Sequence, residues 1–267
     1  MTILETAGLT RRFGNLTAVN SLDLKVAEGE TFGLLGPNGA GKTTVIKMLT
    51  TLLRPSAGKA AVAGFDIRRQ PAQVRASIGY VPQLVSVDGA LTGYENLLMF
   101  AKLYGVPRAL RRSRIEEALG FAGLPEVAGR EVRGYSGGMV RRLELAMAML
   151  HRPRVLFLDE PTVGLDPVAR QVVWQQMRLL VREYGMTIFL TTHFMDEADL
   201  LCGRVAVLNL GRVAALGSPA ELKRSIGHAG ATLDEVFAHF TGNSLEMEHE
   251  WNYRDISQTR RNLARLG

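Results

Sequence analysis

The run Gly36-Pro37-Asn38-Gly39-Ala40-Gly41-Lys42-Thr43 has the residue types and spacing to hold a nucleoside triphosphate. It fits G-x-x-x-x-G-K-[ST], the phosphate-cradling P-loop. Gly39 and Gly41 let the backbone curl so that successive N–H groups point into one anion-sized hollow. Lys42 supplies a point charge for the β- and γ-phosphates. Thr43 offers a hydroxyl to Mg²⁺, with Thr44 next in the phosphate-binding set. The hollow is expected at the start of a helix near Lys42, whose dipole also favours negative charge. An apolar strand, Thr31 to Leu35, precedes the loop, and Val45, Ile46, Met48 and Leu49 follow at helical spacing. A chance glycine loop would not need either flank.

Further residues complement it. Val155-Leu156-Phe157-Leu158-Asp159-Glu160 is an apolar strand ending in two carboxylates. Ligands bind at such strand tips in open α/β sheets. Asp159 is expected to hold Mg²⁺, through water, and Glu160 to orient and polarise an attacking water. Phosphoryl transfer needs little covalent help and much positioning and charge stabilisation. Tyr135-Ser136-Gly137-Gly138-Met139 precedes Leu143, Leu145, Ala146, Met149 and Leu150 at helical spacing, so Ser136 reads as an N-cap beside a second anion site. His193 follows an apolar strand and Thr191-Thr192. Taken singly, these three features also fit an acidic turn, an ordinary helix cap and a capping histidine.

The elements that must position these groups follow from hydrophobic periodicity. Strand-like runs occur at Leu22 to Val26, Thr31 to Leu35, Ala60 to Ala63, Ile78 to Val81, Val155 to Leu158, Thr187 to Leu190 and Arg204 to Leu208. Helical spacing occurs at Tyr94 to Tyr104, Ser113 to Ala122, Pro167 to Glu183 and Met195 to Leu201. The pattern predicts an α/β fold, a helix-covered parallel sheet interrupted by a mostly helical insertion. The 267 residues, 46% of them hydrophobic and 22% charged, suit one large core or a core plus a subdomain. No apolar run approaches the ~18 residues of a membrane span, and the N-terminus does not read as a secretory signal. The single cysteine, Cys202, excludes an internal disulfide and reads as a small packed residue. The net charge of +6 is spread over arginines at 11/12, 68/69, 108–114, 141/142 and 260/261, without interleaved aromatic residues. It reads as solvated surface with some attraction for anionic headgroups rather than a nucleic-acid platform. The polar stretch 243–267 reads as a frayed tail or a docking element.

Taken together, the motifs resemble the ATP-binding cassette (ABC) ATPases, specifically the nucleotide-binding subunit of a transporter, over roughly Ile3 to Leu222. The resemblance implies a P-loop NTPase (RecA-like) core with a mostly parallel sheet, an N-terminal antiparallel β portion and an inserted helical subdomain. The nucleotide-binding domain would be 1–225 (core 1–83 and 151–225, helical part about 84–150), followed by a C-terminal helix and polar tail at 226–267. It further implies that Phe13 stacks on adenine and that Gly36 to Thr43 form the P-loop. Gln83 would touch Mg²⁺ or its water and report to a membrane partner. Ser136, Gly137 and Gly138 match the family signature, Asp159 the metal-holding aspartate and Glu160 the catalytic glutamate. Asp166 matches the D-loop and His193 the switch histidine at the γ-phosphate. Two positions depart from the usual L-S-G-G-Q: Tyr135 and Met139 replace Leu and Gln. Phe13 stands where Tyr is common, and stacking needs only the ring face. The Y-S-G-G-M form and Thr232-Leu233-Asp234-Glu235-Val236-Phe237 are similar to exporters of the daunorubicin-resistance type, although Leu233, Val236, Phe237 and Phe240 also suit an ordinary amphipathic covering helix.

For function, the resemblance implies an ATPase whose substrate is ATP with Mg²⁺, closing head to tail with a second subunit over two ATP. A separate membrane permease would dock near Gln83 and Leu84 to Tyr104, keeping the chain peripheral on the cytoplasmic face of the membrane. Whether the dimer has one kind of subunit or two, and what the cargo is, stay open. Three rival functions share part of this motif set. The first is a non-transport member of this family acting on nucleic acid or in translation. A chromosome or repair ATPase would carry a long coiled coil between P-loop and signature, where the segment here has no sustained heptad. Translation-associated members usually carry two cassettes, where this sequence shows one. A non-catalytic regulatory cassette fits poorly with both Glu160 and His193 in place. A kinase-type P-loop enzyme is not expected to carry Ser136-Gly137-Gly138 with Gln83 and His193.

Overall fold

The computed structural model describes residues 1–227 and 230–242. The chain opens with a long hairpin, β1 (Thr2–Phe13) and β2 (Leu16–Ala27). With β4 (Ala57–Val62) and β5 (Phe65–Asp66) they form an antiparallel sheet of order β2-β1-β4-β5. Strand β1 did not stand out in the sequence because buried Thr6 and Thr10 interrupt its apolar alternation. Thr6 is nevertheless satisfied across the hairpin. Its hydroxyl donates to the Leu22 carbonyl and accepts from the Leu24 N–H, both at 2.8 Å.

The second sheet contains β3 (Thr31–Leu35), β6 (Ile78–Val81), β7 (Val155–Asp159), β8 (Thr187–Thr192), β9 (Arg204–Asn209) and β10 (Arg212–Gly217). Its order is β10-β9-β3-β8-β7-β6, parallel throughout except for the edge pair β10–β9. Every residue of β7 and β8 is buried, as expected of parallel strands covered on both faces. Because the parallel strands share one direction, their C-terminal tips share one edge. Leu35 lies opposite Thr192, Asp159 opposite Thr191 and Val81 opposite Leu158. The P-loop, the Gln83 loop, Glu160 and His193 therefore all leave the sheet together.

Helices α1 (Lys42–Leu49), α2 (Pro71–Ser77), α3 (Gly93–Leu103), α4 (Arg108–Ala122), α5 (Gly137–Met149), α6 (Pro167–Tyr184), α7 (Met195–Leu201), α8 (Pro219–Ser225) and α9 (Leu233–Thr241) cover the sheets. One apolar cluster lies between the two sheets and includes α1, with Phe32 stacked on Phe189 at 5.5 Å. A second fills the other face of the parallel sheet, and a third holds α3, α4 and α5 together. Helix α5 serves both: Leu145 and Met149 join the sheet cluster, Leu143 and Met147 the helical one. This explains why it is buried on nearly every side. Helix α9 packs Leu233, Val236 and Phe237 into the sheet cluster behind a capping box of Thr232 and Glu235. The stretch 243–267 lies outside the described residues. Cys202 is buried under Gly33.

One expectation is corrected. Arg141 is not solvated surface: it is 5% exposed, because α5 turns it inward beneath the loop that follows β6.

Candidate functional site

The P-loop joins β3 to α1. Two of its glycines are required by close approach. A Cβ on Gly36 would stand 2.6 Å from the Leu208 carbonyl, and one on Gly41 2.4 Å from the Ala18 carbonyl. Gly41 also has φ +106°, a conformation side chains resist. The loop encloses a cavity of about 250 Å³ lined by Pro37, Asn38, Gly39, Gly41, Lys42, Thr43 and Thr44, with Ala18, Gln83 and Glu160. Ala40 is buried behind it, its N–H bonded to the Pro37 carbonyl at 3.1 Å.

Lys42 is buried, yet fully engaged. Its Nζ donates to the Gly36 carbonyl at 2.6 Å and the Pro37 carbonyl at 3.2 Å, and lies 3.2 Å from Glu160 Oε1. Gln83 Nε2 donates to Glu160 Oε2 at 3.2 Å. His193 Nδ1 lies 3.4 Å from Glu160 Oε1, without a directed hydrogen bond. Three side chains from three separate segments thus converge on one carboxylate. Glu160 itself sits in the left-handed region, φ +49°. Such strain in a non-glycine residue costs about 1–3 kcal/mol and clusters at functional sites. Burial alone would raise its carboxyl, but His193 and Lys42 outweigh that and hold it below the ordinary value.

Asp159 behaves oppositely. Burial pushes its carboxyl up, against hydrogen bonds from Thr191 and Thr43 and with Glu160 adding to the rise. Thr43 Oγ1 donates to Asp159 Oδ1 at 3.2 Å, and Thr191 Oγ1 at 2.7 Å. Thr191 also accepts the Glu160 N–H at 3.1 Å, so one hydroxyl holds both the Asp159 carboxylate and the Glu160 backbone. In the sequence Thr191 reads only as one of two threonines between an apolar strand and His193.

The remaining expected residues lie outside this cavity. Phe13 ends β1, 44% exposed, with the Arg11 guanidinium 4.5 Å from its ring centroid. Ser136 caps α5 by accepting from the Met139 N–H at 3.3 Å. Ser136 and Gly137 are exposed. Gly138 faces the first turn of α6, where a Cβ would stand 2.8 Å from that of Ala169. Asp166 caps α6, accepting from Val168 and Ala169 N–H groups at 3.0 and 2.9 Å. Tyr135, one of the two departures, is an anchor: its hydroxyl donates to the Val127 carbonyl at 2.7 Å.

Sequence reasoning missed Glu197. It is wholly buried on α7 and accepts from Thr162 Oγ1 and Trp174 Nε1, each at 2.8 Å. Burial raises its carboxyl despite bonds from Thr192, Trp174 and Thr162. It ties the helix after His193 to the segment after Glu160. One of three acidic residues in the short run Met195–Leu201 carries no sequence signal for that.

Comparison with known proteins agrees with this arrangement. The "ABC transporter" family model matches residues 19–163. The chain is 48% identical over 224 residues to the daunorubicin/doxorubicin resistance ATP-binding protein DrrA of Streptomyces peucetius, covering 84% of this chain and 68% of that one. It is 44% identical to the Nod factor export ATP-binding protein I of Rhizobium sp. (strain N33), covering 91% and 78%. Among solved structures, the ATP-binding subunit of an ABC transporter superposes with TM-score 0.80 at 29% identity, covering 89% and 99%. A dimeric post-hydrolysis ATP-binding cassette bound to ADP and Pi superposes with TM-score 0.71 at 26% identity, covering 80% and 98%.

Proposed function

Because the chain belongs to the ABC transporter family and is one of its ATPases, we propose that it powers an exporter by closing with a second ATPase subunit over two ATP molecules. The observation that carries the chemical part is the convergence of Lys42, Gln83 and His193 on Glu160. A carboxylate held ionised at the edge of a phosphate-shaped cavity is suited to orient and polarise an attacking water. Lys42 would exchange Glu160 for the β- and γ-phosphates when ATP enters. That exchange frees the carboxylate at the moment the substrate arrives. His193 and Gln83 would then hold the γ-phosphate and the water in line. Gly36 to Thr44 would cradle the phosphates, with the adenine on Phe13.

Thr43 and Asp159 present hard oxygen donors side by side, and among the described residues no cluster of three or more His, Cys, Asp or Glu could cage a metal. That donor set fits Mg²⁺, which is typically held by one or two protein oxygens plus substrate phosphates, with Gln83 in reach of its water. When bound, the ion would neutralise charge on the β- and γ-phosphates.

For the dimer, the exposed Ser136 and Gly137, with Gly138 beside them, would face the partner's γ-phosphate, with Asp166 at the same interface. The dimeric relative bound to ADP and Pi supports this reading. For the permease, Leu84 and Val85 beside Gln83 and Leu103 at the end of α3 are exposed apolar residues on one stretch of chain. No helix among the described residues is long and apolar enough to cross a membrane. A separate membrane subunit would thus place this chain on the cytoplasmic face. The drug-resistance and Nod factor relatives support export of a hydrophobic or amphiphilic cargo. The domain limits belong to the same reading: 1–225 as the nucleotide-binding unit, with about 84–150 as its helical part, and 226–267 as the C-terminal helix and tail.

The test is a turnover series against protein concentration. ATPase activity per subunit should rise with concentration, and Glu160→Gln with ATP should sediment as a dimer with turnover lowered about 10²-fold or more. Concentration-independent turnover together with a monomeric Glu160→Gln protein would rule out the two-subunit site.

A further inference from the structure

Outside the phosphate cavity, the most unusual chemistry is a buried ion pair beneath the loop that carries Gln83. Arg141 is 5% exposed and Glu144 2%. They lie one turn apart on α5, Arg141 Nη1 3.0 Å from Glu144 Oε2. Buried charges persist where hydrogen bonds satisfy them. Here those bonds go to a single irregular segment. Arg141 donates through Nη1 to the Pro82 carbonyl at 2.9 Å and through Nη2 to the Gln83 carbonyl at 3.3 Å. Glu144 Oε1 accepts from the Ser86 N–H at 2.6 Å and from its hydroxyl at 2.8 Å. Glu144 Oε2 makes no directed hydrogen bond, so toward Arg141 it acts as a counter-charge.

Stability alone is a poor reason for this arrangement. Well-packed apolar residues of similar volume often stabilise a fold as well as a buried ion pair does, or better. What apolar residues cannot do is grip two carbonyls and an N–H at defined positions. The gripped residues flank and include Gln83, whose side chain reaches Glu160 at 3.2 Å while its own carbonyl is held by Arg141. One residue thus joins the tip of β7 to α5. The Ser136-Gly137-Gly138 start of that helix, exposed at Ser136 and Gly137, lies one turn before Arg141.

We propose that Arg141 and Glu144 are positioning residues for Gln83, fixing the 82–86 backbone to α5 so that the Gln83 carboxamide is delivered to Glu160 in step with the helix start. Neither touches the reacting atoms. The proposal rests on the reading of Glu160 and Gln83 given above. It adds that the turnover effect of this pair runs through Gln83 and through no other route.

A double-mutant cycle on the full chain tests it. Arg141→Met with Glu144→Leu removes both charges together and leaves neither orphaned. The paired variant should melt within a few degrees of wild type and keep its KM for ATP within about twofold, with kcat lowered about 5- to 20-fold. Gln83→Ala alone should lower kcat by a similar factor, and adding it to the paired variant should lower kcat no further. Wild-type kcat in a folded paired variant overturns the proposal, as do losses that multiply when the two changes are combined. If the paired variant does not fold, Arg141→Lys decides. It keeps the charge beside Glu144 but lacks the planar fork that reaches two carbonyls. Its kcat should fall about threefold, and only where Gln83 is present; an unchanged kcat overturns the proposal. Wild-type kcat in Gln83→Ala sinks the underlying reading of Gln83, and this proposal with it. An impaired Gln83→Ala beside an unimpaired paired variant sinks this proposal alone.

Discussion

The two phosphate-directed regions of this chain are held in opposite ways. Lys42, Asp159 and Glu160 are 5%, 1% and 6% exposed; Lys42 pairs with Glu160, Thr191 joins Asp159 to the Glu160 backbone, and Thr43, Gln83 and His193 brace the two carboxylates. Ser136 and Gly137 stand exposed at a helix start, with the Ser136 hydroxyl engaged by its own helix. The first region is preorganised by bonds within the chain, the arrangement that electrostatic stabilisation requires. The second is built for presentation outward. Binding should therefore belong to the first region, and only turnover should need the second.

The largest expected effect breaks the first region. Lys42→Ala removes the cation from the cavity and leaves Glu160 buried beside Gln83 and His193 alone. ATP affinity should fall at least 10-fold and turnover about 10²-fold or more, measured by nucleotide titration and phosphate release. Equal affinity in both proteins would count against the P-loop as the phosphate site.

Gly137→Asp tests the second region. A Cβ at Gly137 meets Leu165 Cδ2 at 3.7 Å, ordinary contact, and a carboxylate at the first turn of a helix favours folding. The isolated chain should keep its stability and its ATP affinity. Turnover should nonetheless fall about 10-fold or more, because the new charge would face the partner's γ-phosphate. A loss of affinity equal to the loss of turnover would show that the contrast between the regions is false.

How much of this was legible in the sequence follows the same divide. Groups that do chemistry at strand tips were legible because few residue types suit them: glycines at close approach, Lys42, the Asp159-Glu160 pair, His193. The parallel strands were legible because burial on both faces leaves near-continuous apolar runs. Strand β1 was not, since Thr6 earns its burial through partners 16 and 18 positions away. Arg141 and Glu144 were not, since an Arg and a Glu one turn apart also describe a solvated helix face. Their burial depends on the loop at 82–86, which is distant in sequence. Thr191 and Glu197 share that difficulty: each acts through side chains from other elements.

A smaller effect sharpens the contrast inside the first region, where neighbouring carboxylates shift in opposite directions. Asp159 is raised from its ordinary 3.8, so the folded chain holds that proton more tightly than the unfolded one, and stability falls as pH rises through the window above 3.8. Glu160 is lowered from its ordinary 4.5, so its contribution is present above 4.5 and is lost as pH falls through the window below. At neutral pH, without nucleotide, Asp159→Asn should raise the melting temperature and Glu160→Gln should lower it, each on the order of 1 kcal/mol. The Asp159→Asn protein should also gain less thermal protection from ATP with Mg²⁺. Shifts of the same sign in the two variants would mean that their environments are not distinct.

The smallest effect concerns how the outward-facing region is anchored. Tyr135 is 9% exposed, and its hydroxyl holds the Val127 carbonyl across the loop that leads to Ser136. Gly93 leaves room for that hydroxyl, since a Cβ there would stand 2.5 Å from it. Tyr135→Phe keeps the ring and removes one hydrogen bond, leaving a carbonyl short of a donor. The cost should be about 1 kcal/mol, or roughly 2–4 °C in melting temperature for a chain of this size, with turnover within about twofold of wild type. The opposite outcome, unchanged melting with turnover down 10-fold, would move Tyr135 from anchoring the helix start into the phosphate chemistry itself. The outward-facing region would then owe its position to its partner rather than to its own chain.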